Sequence, residues 1–583
     1  MSQAVEVFRA LGALAGRRLR RWGDRWSAWM AARRARPAAP TGGALDPLET
    51  GDPERARLLA REAALFRGAA PAAGAVSPFS ARAPSPEWSR ELADFGWLDD
   101  ALAGVRRDRA SLRGWVYDWL KRGGGGADVW RADVAGRRLG ALACAWPALR
   151  AGATPEQARR LALSLDAHVA HVARRMRAAP HGLGRLEAAA GLVAGAAAID
   201  GRDRELRAGL RALGAAAEAL IDGDGGLETR NPADLARAVA LLGWVAEIAG
   251  RRGEAFEPHA AGALARAAPA LRAVVLGDGG LARFHGAGPA ADALADPALA
   301  RAAAAPAHGA RGLRRDAAMG FARLSAGRAA LIVDAGPPPP TGVAGASALA
   351  LEFAVGRERV FGAIGPGAAF GAAWAAAARA TAAHSAVEVA DVSSSRLGPA
   401  GFAARVRGRR FRAPPPTVSV ERARDEIGQW LRGEHDGYLA RFGAVVSRRL
   451  LLAHDGRDLR GEDTLSCPDA AARRRFDAAA RRAGGALPFL VRFHLAPEVS
   501  ARLEGGAVVV VAPSGAEWRL RAAGAGLRLE ESASLDDRTA RRRESTQIVL
   551  AGAARDYWGR VAWALEQTAP EPARRRRPAA AQA

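Results

Sequence analysis

The sequence predicts an all-helical region followed by an antiparallel β-sandwich, and three observations carry that prediction. Apolar residues recur at helical spacing from about residue 91 to about 300. Beyond residue 300 the period shortens to the alternation of strands. Helices first and strands afterwards argue for two separate layers and against a βαβ fold. The 583-residue length fits two to four domains, and a composition of 49% hydrophobic and 25% charged residues excludes wholesale disorder.

The elements follow in order. Val5–Gly16 is too short, and too interrupted by Arg9, to read as a signal peptide. After it, Arg17-Arg18-Leu19-Arg20-Arg21-Trp22 with Trp26, Trp29 and Met30 fits a basic amphipathic helix. Such a helix suits peripheral contact with a membrane surface and equally suits packing on the first domain. We take residues 1–45 as this basic segment and 46–90 as a linker rich in Pro, Ala and Gly, with one short helix at about 53–67. In the helical domain, 91–300, Thr154-Pro155-Glu156-Gln157 supplies an N-cap, a first-position proline and a capping-box glutamine. Leu161, Leu165, His168 and Val172 then share one face. Asn231-Pro232-Ala233-Asp234 opens another helix, with Leu235, Val239, Leu242 and Val245 at helical spacing before Gly250. Similar patterns over about 131–150, 184–199, 203–221 and 258–275 complete an array of helical hairpins.

The strands begin with Ala329–Gly336, which stops at Pro337–Pro340. Leu349, Leu351, Phe353 and Val355 alternate, and Gly356-Arg357 turns the chain into Arg359–Ile364. Val445–Ala453 returns through Asp455-Gly456, and Ala507–Val511 returns through Pro513-Ser514-Gly515 to Trp518 and Leu520. Thr546–Leu550 and Val561–Leu565 add two more, so 301–568 reads as a sandwich and 569–583 as a basic disordered tail.

Composition limits the chemistry. The formal net charge is +24, which suits an anionic partner. Lys121 is the only lysine and lies in neither a P-loop nor a kinase context, so those classes are excluded. Cys144 and Cys467 are too few and too far apart for a disulfide framework or a thiolate zinc site. No Gly-x-Ser-x-Gly, His-Glu-x-x-His or Cys-x-x-Cys occurs, and no nucleic-acid-binding motif accompanies the charge, so nucleic acid is not an expected partner. No apolar run reaches the length of a membrane span.

Several segments, in order, resemble the heparinase II/III family of polysaccharide lyases. They include Phe95-Gly96-Trp97-Leu98, Asp224-Gly225-Gly226, Arg230-Asn231-Pro232 and Gly277-Asp278-Gly279-Gly280-Leu281. Further on come Val333-Asp334-Ala335-Gly336, Arg379-Ala380-Thr381-Ala382-Ala383-His384-Ser385, His435-Asp436-Gly437-Tyr438, Phe493-His494-Leu495 and Gln547-Ile548-Val549-Leu550. The resemblance spans about 91–566 and implies an incomplete α/α toroid followed by an antiparallel β-sandwich. It also implies β-elimination on a uronate-containing polysaccharide. In that reaction a group neutralises the C6 carboxylate, a base takes the C5 proton and an acid protonates the leaving oxygen. The implied address is the cell envelope or periplasm, with the cytoplasm as the alternative.

The sequence departs from the family at the reacting positions. The family's Asn/His neutraliser corresponds to Gly182-Leu183-Gly184-Arg185, its toroid tyrosine has no match among Tyr117, Tyr438 and Tyr557, and Gly345 stands where a strand histidine belongs. His384 matches one ligand of a zinc site that some members carry, but its companions are missing, so neither metal nor cofactor is expected. The Asp222-x-Asp224 start of a calcium-like loop lacks the required glycine and twelfth-position acid.

His384, His435 and Tyr438 are the candidate catalytic residues; Arg185, Arg230, Asn231 and His285 are the candidate substrate-binding residues. Each has a plainer reading. His384 is also a sandwich histidine, Asp436-Gly437 beside His435 and Tyr438 is also a turn, and His285 is also a loop residue. Arg185 lies on a helix surface and Asn231 suits a helix cap, whereas Arg230 is left free to meet an anionic sugar. His494, inside an apolar strand, reads as a core histidine. The expected function is a polysaccharide lyase; the alternative is a glycan-binding envelope protein whose site has degenerated.

Overall fold

The computed structural model describes residues 3–41, 43–61, 77–80, 83, 85–123, 128–305, 317–412 and 416–569. The helices are α1 (Gln3–Arg34), α2 (Pro53–Arg61), α3 (Pro86–Asp94), α4 (Trp97–Ala103), α5 (Arg106–Arg122) and α6 (Ala132–Arg150). They continue with α7 (Pro155–Arg175), α8 (Leu183–Ala197), α9 (Asp203–Leu220), α10 (Pro232–Arg251), α11 (Pro258–Ala273) and α12 (Asp292–Ala304). Together they form an incomplete α/α toroid. Local chemistry sets the ends. Thr154 and Gln157 make the reciprocal capping box of α7, and Asn231 Oδ1 accepts from the Ala233 amide to open α10. At Gly136 the packing needs a glycine: a Cβ there would stand 2.7 Å from Ala188 Cα, so its absence lets α6 and α8 approach closely.

Seventeen strands follow in the described residues. They are β1 (Ala317–Ala318), β2 (Phe321–Ala326), β3 (Ala329–Asp334), β4 (Leu351–Val355), β5 (Glu358–Gly362), β6 (Val387–Val389), β7 (Val418–Arg424), β8 (Gly428–Tyr438) and β9 (Ala444–Ala453). The rest are β10 (Asp458–Ser466), β11 (Leu487–Leu495), β12 (Ser500–Glu504), β13 (Ala507–Val511), β14 (Glu517–Ala523), β15 (Gly526–Asp536), β16 (Arg541–Ala554) and β17 (Trp558–Ala569). One sheet runs β1-β2-β3-β4-β5-β11-β16-β15 with β6 on β11; the other runs β12-β13-β14-β17-β10-β9-β8-β7. Every pairing between them is antiparallel, and Phe361, Phe493, Trp518 and Trp563 pack between the sheets.

Two sequence expectations need correction here. The stretch 46–90 is not linker throughout, because Leu48 is buried against the toroid; the short helix expected within it is present at Pro53–Arg61. The expected helix at 53–67 ends, as far as it is described, at Arg61, and the expected tail beyond Ala569 lies outside the described residues. His435-Asp436-Gly437-Tyr438 is not a turn. It lies inside β8, where the register with β9 shifts between His435 and Tyr438, and the chain reverses only at Leu439–Gly443.

Candidate functional site at the interdomain junction

The loops at one end of the toroid meet the first sheet in a buried polar network. Arg230 immediately precedes the cap of α10 and has φ +50°. Its Nε donates to Met319 O at 2.7 Å and its Nη2 to Gly320 O at 2.9 Å, and it also reaches Pro337 O and the Asp334 carboxylate. Asp334, the last residue of β3, further accepts from Ser347 Oγ at 2.7 Å and lies 3.3 Å from His285 Nε2. Burial pushes this carboxyl up, but Arg230, His285 and Ser347 together hold it well below the usual carboxylate range. A second network lies beside it. Arg359 bridges Glu352 at 3.0 Å and Asp278 at 2.9 Å, and Glu352 accepts from the Arg283 amide.

Between these networks lies a cavity of about 110 Å³, lined by Arg283, His285, Val343, Gly345, Arg379 and His384 among others. His384 stacks on Phe284 at 6.3 Å, and neither of its ring nitrogens has a hydrogen-bond partner. Burial lowers its pKa to about 3, so the ring is neutral at physiological pH. The Gly345 amide donates to His285 Nδ1 at 3.2 Å. Arg379 Nε donates to Ala344 O, its Nη1 donates to Arg409 O, and its Nη2 is buried without a partner.

The structure brings two of the candidates, His285 and His384, to this cavity. The others lie elsewhere. His435 is buried in the sandwich beside Arg448, and burial lowers its pKa to about 4. Tyr438 is buried too, donating its hydroxyl to Val387 O at 3.1 Å, and its pKa is pushed up. Arg230 is not free for a sugar, because three backbone carbonyls and Asp334 take its guanidinium. Asn231 caps α10. Arg185 sits in the first turn of α8, 3.1 Å from His181 Nε2. His494 is a satisfied core residue, bonded to Ser532 Oγ and Ala382 O at 2.8 Å each. Sequence reasoning passed over Asp334, Ser347 and Glu352; an acidic residue within or closing an apolar strand was the available signal.

The zinc known in some family members does not fit these residues. Asp334 is committed to Arg230, Ser347 and His285, and Gly345 faces His384 with no ligating atom of its side chain. Among the described residues no three His, Cys, Asp or Glu side chains come together as a metal-binding group.

Toroid, sandwich and junction define the architecture of the polysaccharide lyases built on these two modules. The model of the heparinase II/III-like C-terminal domain matches residues 309–564. The curated FtsZ-localized protein C of Caulobacter vibrioides is 33% identical over 496 residues, covering 84% of this chain and 83% of its own. The chain belongs to the heparinase II/III-like family. Among solved structures, heparinase III superposes with a TM-score of 0.63 at 11% identity, covering 92% of this chain and 88% of that one. A heparan sulfate lyase HepC mutant from Pedobacter heparinus gives 0.54 at 14% identity over 97% and 91%. At these identities the likeness concerns the fold.

Proposed function

We propose that this chain is a catalytically silent member of its family, acting by binding at the place where FtsZ assembles, with an anionic polysaccharide as its inherited class of partner. The observation that carries the reading is the fate of the three tyrosines. Tyr117 donates to Leu149 O at 2.5 Å, Tyr438 to Val387 O, and Tyr557 to Asp477 Oδ2 at 3.4 Å. None lines the junction cavity, where neither ring nitrogen of His384 has a hydrogen-bond partner to relay a proton. β-Elimination needs a base at the C5 proton and an acid at the leaving oxygen, and the junction supplies no connected pair of that kind. The relative whose name places it with FtsZ supports the address, and the +24 charge supports the anionic partner.

α1 supports a membrane surface as a second contact. Leu19, Trp22, Trp26 and Trp29 form an exposed stripe, with Leu19 73% and Trp22 66% exposed; Arg18 and Arg25 border it, and the Arg33 guanidinium lies over the Trp29 ring at 4.0 Å. No described helix is long and apolar enough to cross a membrane. A tryptophan stripe flanked by arginines suits the headgroup layer of anionic lipid.

The cavity with His285 and His384 favours the rival lyase reading enough to test it directly. An ultraviolet assay for unsaturated uronate over heparan, chondroitin, alginate and bacterial uronic-acid polymers is expected to stay silent while one polymer binds. A product signal abolished by His384→Ala, with folding intact, would overturn the binding reading. A fluorescent fusion that does not follow FtsZ would overturn the address.

A further inference from the structure

Polar ties hold α1 against the toroid. Asp24 accepts from Arg175 Nε at 2.7 Å, Ser27 Oγ lies 3.1 Å from His171 Nδ1, and Arg21 pairs with Asp128 at 2.6 Å. Further along the helix come Ala28 and Ala32, whose side chains are single methyls. Between them and α5 and α7 a pocket of about 270 Å³ remains. Trp119 and Trp130 form its wall, packed on His168 at 5.6 and 5.2 Å, and Leu120 and Leu163 extend it. The wall is already fixed. His168 Nδ1 stands 2.6 Å from Ser164 O, its Nε2 accepts from Arg138 Nε at 2.9 Å, and the Arg138 guanidinium lies over both indoles. Apart from the three rings, only Ser164 and Arg160 bring polar side chains to the described lining. A sugar ring would lose water from several hydroxyls there for few partners, whereas a hydrocarbon chain would lose none.

The pocket is continuous with the tryptophan stripe. Trp29 and Ala32 are three residues apart on α1, and Arg25 stands three before Ala28 and four before Trp29, so they share one helix surface. Ala32 and Trp29 are both exposed. The surroundings are basic. Asp118 is answered by Arg122, Glu156 by Arg160, and Asp128 by Arg21 and Arg90. Lys121 in the last turn of α5 and Arg33 in the last turn of α1 come in addition to those pairs. An apolar slot beside a membrane-facing stripe, with cations around it, matches the two ends of an anionic lipid.

We propose that this pocket takes one acyl chain of an anionic lipid drawn from the leaflet on which α1 lies. The chain packs on Trp119, Trp130 and Leu163, and the headgroup stays outside among Arg25, Arg33 and Arg160. The proposal rests on the membrane reading of α1 and is separate from the junction cavity and from the glycan reading.

The test uses the full chain and two probes. The first is monomeric dodecanoyl lysophosphatidylglycerol below its micelle concentration, titrated by calorimetry. The parent chain should bind it saturably, and Ala167→Phe, which fills the pocket, should weaken binding at least about tenfold. Trp22→Ser with Trp26→Ser should keep monomer binding within about twofold, because those rings lie outside the pocket. The second probe is phosphatidylglycerol with a diazirine in one acyl chain, carried as a trace in phosphatidylglycerol vesicles. Irradiation should mark α5 near Trp119 and α7 near Leu163 as well as α1, and Ala167→Phe should remove the α5 and α7 adducts. Should Ala167→Phe not fold, Ala32→Trp, at an exposed position of the same wall, must weaken the lysolipid in the same direction. Equal lysolipid binding by the filled variant, or adducts confined to α1, would overturn the proposal. Tighter binding of dodecanoate than of the lysolipid would overturn the lipid assignment in favour of a free fatty acid. Lysolipid binding by a parent chain that does not partition onto vesicles would sink the membrane reading instead, and with it the leaflet as the source.

Discussion

Gly345 and His384 face each other across the junction with room for no side chain between them: a Cβ on residue 345 would lie 2.8 Å from His384 Nε2. The His384 ring cannot easily retreat, because it is buried and stacked on Phe284. The position where the family resemblance expects a histidine is therefore closed by packing, and the loss of that group and the present seat of His384 are one arrangement.

That relationship predicts the outcome of Gly345→Ala. Overpacking a tight interior costs about 1–3 kcal/mol, so chemical denaturation should show a lower midpoint with an unchanged slope. His384→Ala should relieve part of the cost in the double variant, giving a coupling energy of about 1 kcal/mol. Strict additivity of the two single effects would show that the backbone around Gly345, not the ring, sets the constraint.

The Arg230–Asp334 pair predicts a larger effect. Arg230→Leu leaves a buried carboxylate without its cation, which typically costs about 3–5 kcal/mol. Asp334→Asn should cost less, since it removes the charge that Arg230 answers. The sign with pH follows from the lowered carboxyl. Its contribution is present above the ordinary aspartate range near pH 4 and is lost as pH falls below it toward the folded-state value. Thermal melts between pH 3 and 7 should show this acid limb in the parent chain and a shallower one in Asp334→Asn.

Much of the fold was legible because its signals are local. The capping box at Thr154, the cap at Asn231 and the alternation through Leu351 and Phe353 all act within a few residues. The misread parts depend on distant partners. Arg230 looks free until Met319, Gly320 and Asp334 fold over it, and residues 44–48 look like linker until Arg251 and Arg301, two hundred and more residues on, bind their carbonyls. Asp436-Gly437 misleads because the same dipeptide serves a turn and a bulge; Gly437 passes so close to Ser394 that a Cβ would come within 2.7 Å of its carbonyl oxygen. The candidate site was half legible: His285 and His384 meet at the cavity, while His435 and Tyr438 are core residues that pattern alone does not distinguish.

Asp99 predicts a pH response of the opposite sign. It is raised to about 7, by burial first and then by the Glu49 carboxylate, while the Glu49 amide and Arg237 oppose the shift and Asp100 adds to it. A carboxyl whose folded value is raised favours the fold while protonated. Its contribution is greatest below the ordinary aspartate value and is lost as pH rises through about 7. The parent chain should therefore lose this stability between about pH 4 and about pH 7, and Asp99→Asn should flatten that limb in thermal melts. A parallel limb in both proteins would assign the loss to another group.

The stripe on α1 predicts a separation of binding from stability. Trp22 and Trp26 stack on each other at 6.0 Å with their rings nearly parallel, and both are largely exposed. Large apolar side chains left in water contribute little to folding, whereas each indole that enters the interfacial layer gains the burial it lacks in the free chain. Trp22→Ser with Trp26→Ser should leave the melting temperature within a degree or two, as expected for surface substitutions. The same double variant should lose at least about tenfold in partitioning onto vesicles containing anionic phosphatidylglycerol, measured by co-sedimentation. The parent chain should bind neutral phosphatidylcholine vesicles much more weakly, because Arg18, Arg25 and Arg33 beside the stripe gain from the anionic headgroups. Equal partitioning of parent and variant would remove the membrane from the list of partners and leave the tryptophan stripe to a protein.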